Sequence, residues 1–300
     1  MTDPSDNIID GVWTDLFAAR RKPVQWIIGD LLTTGLAWVV GPPKDAKKST
    51  QALGMGLLVA GYGCSIYPAF MCAPAVDSQV YIISAEADAG ELRDMAEGVL
   101  GVKGIAKEAI LVADDPWEFQ LDTDKGMNLL ASELEKRLPK LVILDPFVEL
   151  HSQDENDAVA VVKILKPIRD WAKRNDSCVL VVHHPRKLAQ DQVKFKRQDA
   201  RGSGAIAGKA DTHLTISPMG SYHTIEAVFK RARGWTRDLV LGLDGEVAQE
   251  VITSDDRKVM DAWGPDVDID ALARILKMPP SSVRESVAKL ARNEMLGGIK

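Results

Sequence analysis

Leu36-Ala37-Trp38-Val39-Val40-Gly41-Pro42-Pro43-Lys44-Asp45-Ala46-Lys47-Lys48-Ser49-Thr50-Gln51-Ala52-Leu53 is the stretch on which the reading of this chain turns. Residues 36–40 are a continuous apolar run, as a strand buried on both faces requires. Gly41, Pro42 and Pro43 end that run, and an apolar helix is expected from residue 49 to 60. A strand, a Gly-Pro turn and a Lys-Ser-Thr helix start together make a site for phosphate. The first N–H groups of a helix have no partner inside it and point outward, a lysine adds positive charge, and a hydroxyl can hold a divalent cation.

The segment can be set in two registers. Counted from Gly41 without a gap, Lys47 is the phosphate lysine, Ala46 stands where a second glycine is usual, and Lys48 falls on the hydroxyl position. Counted back from the helix, Lys48, Ser49 and Thr50 fall into place and the loop carries one extra residue. We take the second register, because it keeps a lysine followed by a hydroxyl at the helix start. The candidate phosphate-binding segment is therefore Gly41, Pro42, Pro43, Lys44, Asp45, Ala46, Lys47, Lys48, Ser49 and Thr50.

Outward from this point, apolar runs at 80–84, 110–113, 141–144 and 178–182 alternate with amphipathic stretches at 87–100, 124–137 and 156–174. That alternation predicts βαβ units, hence an α/β fold with a mostly parallel central sheet. Beyond residue 210 the runs shorten (213–216, 223–229, 237–243 and 246–251), which predicts an antiparallel extension of the same sheet. Residues 253–266 are polar and hold Gly264 and Pro265, and read as a linker. A helix over 268–277 then carries Leu272, Ile275 and Leu276 on one face. Met278, Pro279 and Pro280 break it, and Ser281 or Ser282 caps a second helix bearing Val283, Val287, Leu290 and Ala291. Two short helices across a tight turn read as a helix-turn-helix-like unit, with Arg284, Lys289 and Arg292 as its candidate DNA contacts. The expected organisation is an arm at 1–23, a core at 24–252, the linker, and this unit at 267–300.

Apolar residues make up 46% of the chain and the formal net charge is −6, so contact with nucleic acid has to come from local basic patches rather than from the overall field. No apolar run reaches the roughly 18–20 residues of a membrane span. Cys64, Cys72 and Cys178 have no metal-ligand spacing, and free thiols in a reducing cytoplasm are expected. Two carboxylates complete the phosphate reading. Glu86 follows the 80–84 run and suits a base that polarises an attacking water; Asp145 ends the 141–144 run and, with the Ser49 hydroxyl, suits a Mg²⁺ ion bound with ATP.

In series, these and several further markers resemble the RecA/DnaB-like hexameric ATPases, and within them the RepA-type replicative helicases. The markers are Trp26-Ile27-Ile28, Gly41 to Lys44 with Lys48 to Thr50, Ile83 to Glu86, Leu144 to Phe147 followed by His151 and by Glu155-Asn156, Val182 to His184, and Arg201 to Ala205; they span residues 24 to 245. The resemblance implies a RecA-like P-loop core in which Glu86 is the catalytic carboxylate, Asp145 the Mg²⁺ partner and His184 a sensor of the γ-phosphate. It also implies DNA contact by the basic stretch holding Arg186, Lys187, Lys194, Lys196, Arg197 and Arg201. Arg231 and Arg233 stand where that group supplies basic fingers to the neighbouring subunit's nucleotide. The loop at 151–157, by contrast, is acidic and ill suited to DNA. The function implied is a cytoplasmic, ring-forming DNA helicase working on single-stranded DNA, with a primase or other replication proteins as further partners. Two readings compete: a nucleotide-binding regulator or DNA-binding adaptor whose altered loop hydrolyses little or no ATP, and a RecA-like repair or recombination ATPase.

Overall fold

The apolar run that precedes the phosphate segment becomes the middle of a large sheet. The computed structural model describes residues 8–9, 13–14, 23–42, 47–62, 78–98, 100–183, 208–219, 222–232, 234–239, 254–263 and 268–292. Its strands are β1 (Ile8–Ile9), β2 (Trp13–Thr14), β3 (Trp26–Ile28), β4 (Leu32–Thr33), β5 (Gly35–Val40), β6 (Val80–Ser84), β7 (Ile110–Val112), β8 (Leu141–Asp145), β9 (Cys178–His183), β10 (Thr212–Met219), β11 (Tyr222–Phe229) and β12 (Trp235–Leu239). Eight of them form one sheet in the order β12-β11-β10-β5-β9-β8-β6-β7. From β10 to β7 all neighbours are parallel, and β11 runs antiparallel to both of its neighbours, β10 and β12. Both halves of the expected sheet are present.

Alternation along each strand divides the core into two layers, because successive side chains point to opposite faces. Ala37 and Val39, Val80 and Ile82, Leu141 and Ile143, and Leu180 and Val182 pack under α1 (Lys48–Val59) and α2 (Ala89–Gly98). Leu36, Trp38 and Val40, Val142 and Leu144, and Val179 and Val181 pack under α3 (Asp124–Arg137) and α4 (Ala158–Arg174). The pattern of β5 follows from this double burial: all six of its residues are covered. Thr123 caps α3 and Asp157 caps α4, each through its side-chain oxygen on first-turn N–H groups.

Three expectations are corrected. The polar segment read as a linker is mostly helix α5 (Ser254–Ala262), with Asp255 and Asp256 in a first turn where acidic residues favour the helix dipole. The second helix of the C-terminal pair, α7 (Pro280–Arg292), starts at Pro280 rather than behind a serine cap; proline suits a first helical position because its missing N–H would be unpaired there anyway. The strand expected at 237–243 is β12, which starts at Trp235; the run at 246–251 lies outside the described residues. Between α5 and α7 lies α6 (Ile269–Leu276), capped by Asp268, and Val259, Leu272, Ala273, Val283, Val287 and Leu290 form a small core shared by the three helices. Among the described residues no helix is long and apolar enough to cross a membrane.

Candidate nucleotide site

Parallel strands bring their C-terminal ends to one edge of the sheet, and in open α/β sheets that edge is where ligands bind. Here the edge collects the end of β5 with Gly41, of β6 with Glu86 two residues beyond it, of β8 with Asp145, and of β9 with His183. Ser84 lies opposite Asp145 in register, and Ala85 N–H donates to the Asp145 carbonyl at 2.8 Å. Ser84 Oγ accepts from the Ala87 N–H at 3.1 Å, which turns the chain so that Glu86 stands exposed at the rim. A cavity of about 560 Å³ opens beside it, lined by Ser84, Glu86, Asp88, Gly90, Asp114 and Pro116 among others.

The two candidate lysines behave differently. Lys47 is exposed and sits in the left-handed conformation (φ 48°, ψ 42°) immediately before α1. Lys48 opens the helix, is 6% exposed, and donates from Nζ to the carbonyls of Gly41 and Pro42, each at 3.2 Å. Burial pulls its pKa down, and the nearby Asp145 and Glu86 carboxylates act against that pull. A lysine folded back on its own loop is placed to swing to a phosphate. The register with the extra loop residue assigns the phosphate contact to this lysine.

Asp145 is 3% exposed. Burial, with the Glu86 charge added, raises its pKa to about 6, although a hydrogen bond from Ser49 and the Lys48 charge oppose the rise. Its Oδ1 is buried and has no hydrogen-bond partner among the described residues. A carboxylate with a bare oxygen, next to a hydroxyl at a helix N-terminus, fits the oxygen donors that Mg²⁺ takes alongside nucleotide phosphates. Ser49 and Asp145 are thus the residues that would hold the ion.

The remaining sequence-derived residues fall elsewhere. Thr50 is buried in the first turn of α1. Pro43, Lys44, Asp45, Ala46, His184, Arg186, Lys187, Lys194, Lys196, Arg197, Arg201 and Arg233 lie outside the described residues, as do the side chains of Lys289 and Arg292. Arg284, on α7, is 60% exposed and pairs with Asp270 at 3.2 Å. Arg231 follows β11, which runs antiparallel, so it lies at the opposite edge of the sheet beside Lys230 and Thr33 around a cavity of about 520 Å³. Six strand residues separate the two edges along β5, or roughly 20 Å. Arg231 therefore does not join the candidate phosphate site of the same chain.

Two pairings went unread in the sequence. His183 ends β9 as a fully buried residue with its Nδ1 3.1 Å from Glu155 Oε1. At the far edge Asp211 binds Arg169 and Lys173. A polar residue on the inner face of an apolar element is the only sequence signal either offers.

A model of the AAA domain family matches residues 2–190. Among the curated proteins none matches the chain. Among solved structures, the crystal structure of the RadB recombinase is similar at 15% identity, covering 72% of this chain and 90% of that one, with a TM-score of 0.49.

Proposed function

The chain belongs to the AAA domain family, a family of P-loop ATPases, and from that footing we propose that it is an ATP-dependent DNA-binding motor of the replicative-helicase type, hydrolysing ATP between the subunits of a ring. The observation that carries the reading is the meeting of Lys48, Ser49, Asp145 and Glu86 at one sheet edge while Arg231 stands at the other. A cation that cannot reach its own subunit's nucleotide is available to a neighbour's.

In the chemistry this supports, the ATP phosphates lie at the N-terminus of α1 and Lys48 leaves the Gly41 and Pro42 carbonyls to meet them. Mg²⁺, when held by Ser49 and Asp145, supplies positive charge against the phosphate oxygens. Glu86 takes a proton from the attacking water as that water bonds to the γ-phosphorus and the bond to the bridging oxygen breaks, releasing ADP. An arginine of the next subunit, Arg231 or Arg233, balances the charge that builds on the γ-phosphoryl oxygens. Single-stranded DNA is the expected track, gripped by the basic stretch from Arg186 to Arg201. A role for Arg284, Lys289 and Arg292 in DNA contact belongs to the same proposal.

One observation favours the second reading, a nucleotide-binding regulator with little turnover. Lys47 holds a left-handed conformation that glycine adopts without cost, so this phosphate loop is built against a local strain. Measuring ATPase rate with and without single-stranded DNA separates the two. Turnover that rises with DNA supports the motor, whereas tight nucleotide binding without turnover in either condition supports the regulator.

A further inference from the structure

At the edge of the sheet away from the nucleotide site, the cavity of about 520 Å³ beside Arg231 has a lining that nothing above uses. Three separate segments build it. Gln25 leads into β3, and its carbonyl accepts from the Thr34 N–H at 3.1 Å, which holds the residue between β4 and β5 against it. Lys173 comes from the last turn of α4. Lys230 and Arg231 follow β11, and the Lys230 N–H donates to the Asp211 carbonyl at 2.9 Å. All three segments line the cavity, with Pro23 and Val24 as an apolar wall.

The charge on these walls is unequal. Asp176 and Asp211 are the lining carboxylates, and Asp211 is already answered: Arg169 grips both of its oxygens at 2.8 and 2.9 Å, and Lys173 Nζ stands 2.8 Å away. Lys230 and Arg231 add two further cations at exposed positions. The local field therefore favours an anion and disfavours a metal ion. Thr33 Oγ1 is taken up by Thr212 Oγ1 at 2.8 Å, whereas Thr34, half-buried on the same wall, brings a further hydroxyl. Ammonium, guanidinium and hydroxyl donors from separate segments match the three terminal oxygens of a phosphoryl group better than the two coplanar oxygens of a carboxylate. A phosphoryl group fills only a fraction of this space, and the volume lies in the usual range for small-molecule pockets, roughly 300–1,000 Å³. The ligand that fits has a body beyond its phosphate, set against Pro23 and Val24 and beside Gln25 and Asp176. A row of surface cations alone would keep a strand edge from pairing, but that role asks for no cavity and no hydroxyl.

We propose that this cavity is a second ligand site, one that takes a small phosphorylated molecule, with Lys173, Lys230, Arg231 and Thr34 as donors to its phosphoryl oxygens. The site is complete in a single chain and requires neither DNA nor a ring. On the proposed function the ligand competes with a neighbour's nucleotide for Arg231, so its binding restrains turnover.

Lysine acetylation followed by mass spectrometry locates the ligand in the full chain. Lys173 and Lys230 report the cavity, Lys48 the nucleotide edge, and Lys125 and Lys136, exposed on α3, the general surface. The probe is inorganic pyrophosphate without Mg²⁺, against chloride at equal ionic strength, with the chain dilute enough to be a single copy by light scattering. At ten times the half-protecting concentration, acetylation of Lys230 slows about tenfold, as mass action requires of one site, while Lys125 and Lys136 react as before. Thr34→Val keeps the volume and removes the hydroxyl. Its melting curve without pyrophosphate matches the native one, and its half-protecting concentration rises about tenfold or more, the lower end for a lost hydrogen bond to a charged group. Absent protection of Lys230, or equal slowing at the surface lysines, overturns the proposal. So does native protection in Thr34→Val. Protection of Lys230 that appears only with an ATP analogue, once copies associate, assigns these cations to a neighbour's nucleotide and overturns it as well. Should Thr34→Val fail to fold, Lys230→Gln read at Lys173 decides in its place: weaker protection upholds the site, and native protection overturns it.

Discussion

The two edges of the sheet each bury an aspartate, and the aspartates are treated in opposite ways. At the far edge, Asp211 Oδ2 accepts from Arg169 Nε at 2.8 Å and from the Leu36 N–H at 3.2 Å, while Oδ1 accepts from Arg169 Nη2 at 2.9 Å and lies 2.8 Å from Lys173 Nζ. Burial pushes its pKa up, but the bonds from Arg169, Lys173 and Leu36 outweigh this and hold it below the usual value. Gly35, at φ 106°, lets the carboxylate come this close: a Cβ there would collide with Asp211 Oδ2. At the near edge, Asp145 has a hydroxyl partner in Ser49, an oxygen that is bare among the described residues, and a pKa raised to about 6. A closed set of partners fixes a fold, whereas an incomplete set in a buried place leaves a position that a ligand can take. On the proposed function the near edge carries the chemistry, and the far edge is its scaffold and the carrier of Arg231.

The strongest test of that division asks whether the edges cooperate only between subunits. Replacing Arg231 and Arg233 by alanine is expected to spare nucleotide binding and cut turnover by about 10³–10⁵, the range for arginines supplied in trans. Mixing this variant with Glu86→Gln creates interfaces where an intact Glu86 faces intact arginines, so activity partly returns. An inert mixture, with mixed assembly confirmed, removes the finger role and leaves Arg231 as part of a charged strand edge.

Glu86→Gln alone should lower turnover by about 10²–10⁴ with ATP affinity nearly unchanged, because a general base acts only on the attacking water. Unaltered turnover in this variant would take Glu86 out of the mechanism.

The scaffold edge answers to stability instead. Asp211→Ala leaves Arg169 and Lys173 facing each other part-buried, and should destabilise the fold by about 3 kcal/mol in denaturant titrations, the lower end for a broken buried pair since both cations keep some exposure. The sign of its pH dependence follows from a folded-state pKa below the unfolded one. The contribution is complete above about pH 4, where the unfolded carboxyl is ionised, and is lost as pH falls through the folded value. The gap between native and Asp211→Asn proteins should therefore be flat from pH 8 to 5 and close only in more acid solution. A gap that widens on acidification contradicts the network.

What the sequence made legible follows the same division. Lys48, Ser49, Glu86 and Asp145 each stand within two residues of a strand or helix end, where local pattern and chemical type agree, so they could be read in one dimension. Asp211 meets Arg169 across 42 residues, and Glu155 meets His183 across the sheet edge; no local pattern encodes either distance. His183 and His184 are adjacent and chemically identical, and because all six residues of β9 are buried no alternation in the run marks where the strand ends. Helix α5 was hidden for another reason: its surface is polar and Gly264 and Pro265 lie just beyond it, so composition outweighed the acidic first turn that marks a helix start.

The smallest expected effect decides the register, because the two registers predict opposite signs. If Lys48 is the phosphate lysine, Lys47 is a left-handed position occupied by a residue with a Cβ, at a cost of roughly 1–2 kcal/mol. Lys47→Gly relieves that strain but gives back part of the gain through the greater freedom of glycine in the unfolded chain, so stability should rise by no more than about 1 kcal/mol. Nucleotide affinity should hold or improve slightly, as the loop reaches its binding shape with less strain. Lys48→Ala, by contrast, removes a charged donor worth about 1.5–3 kcal/mol, or roughly 10- to 150-fold in affinity. Were Lys47 the phosphate lysine, the glycine variant would be the one to lose nucleotide, and Lys48→Ala would cost only its two carbonyl contacts. Titrating a fluorescent ATP analogue against both variants, alongside their melting curves, reads the two signs together. Weaker binding in Lys47→Gly than in Lys48→Ala returns the loop to the ungapped register and leaves the buried Lys48 a structural residue.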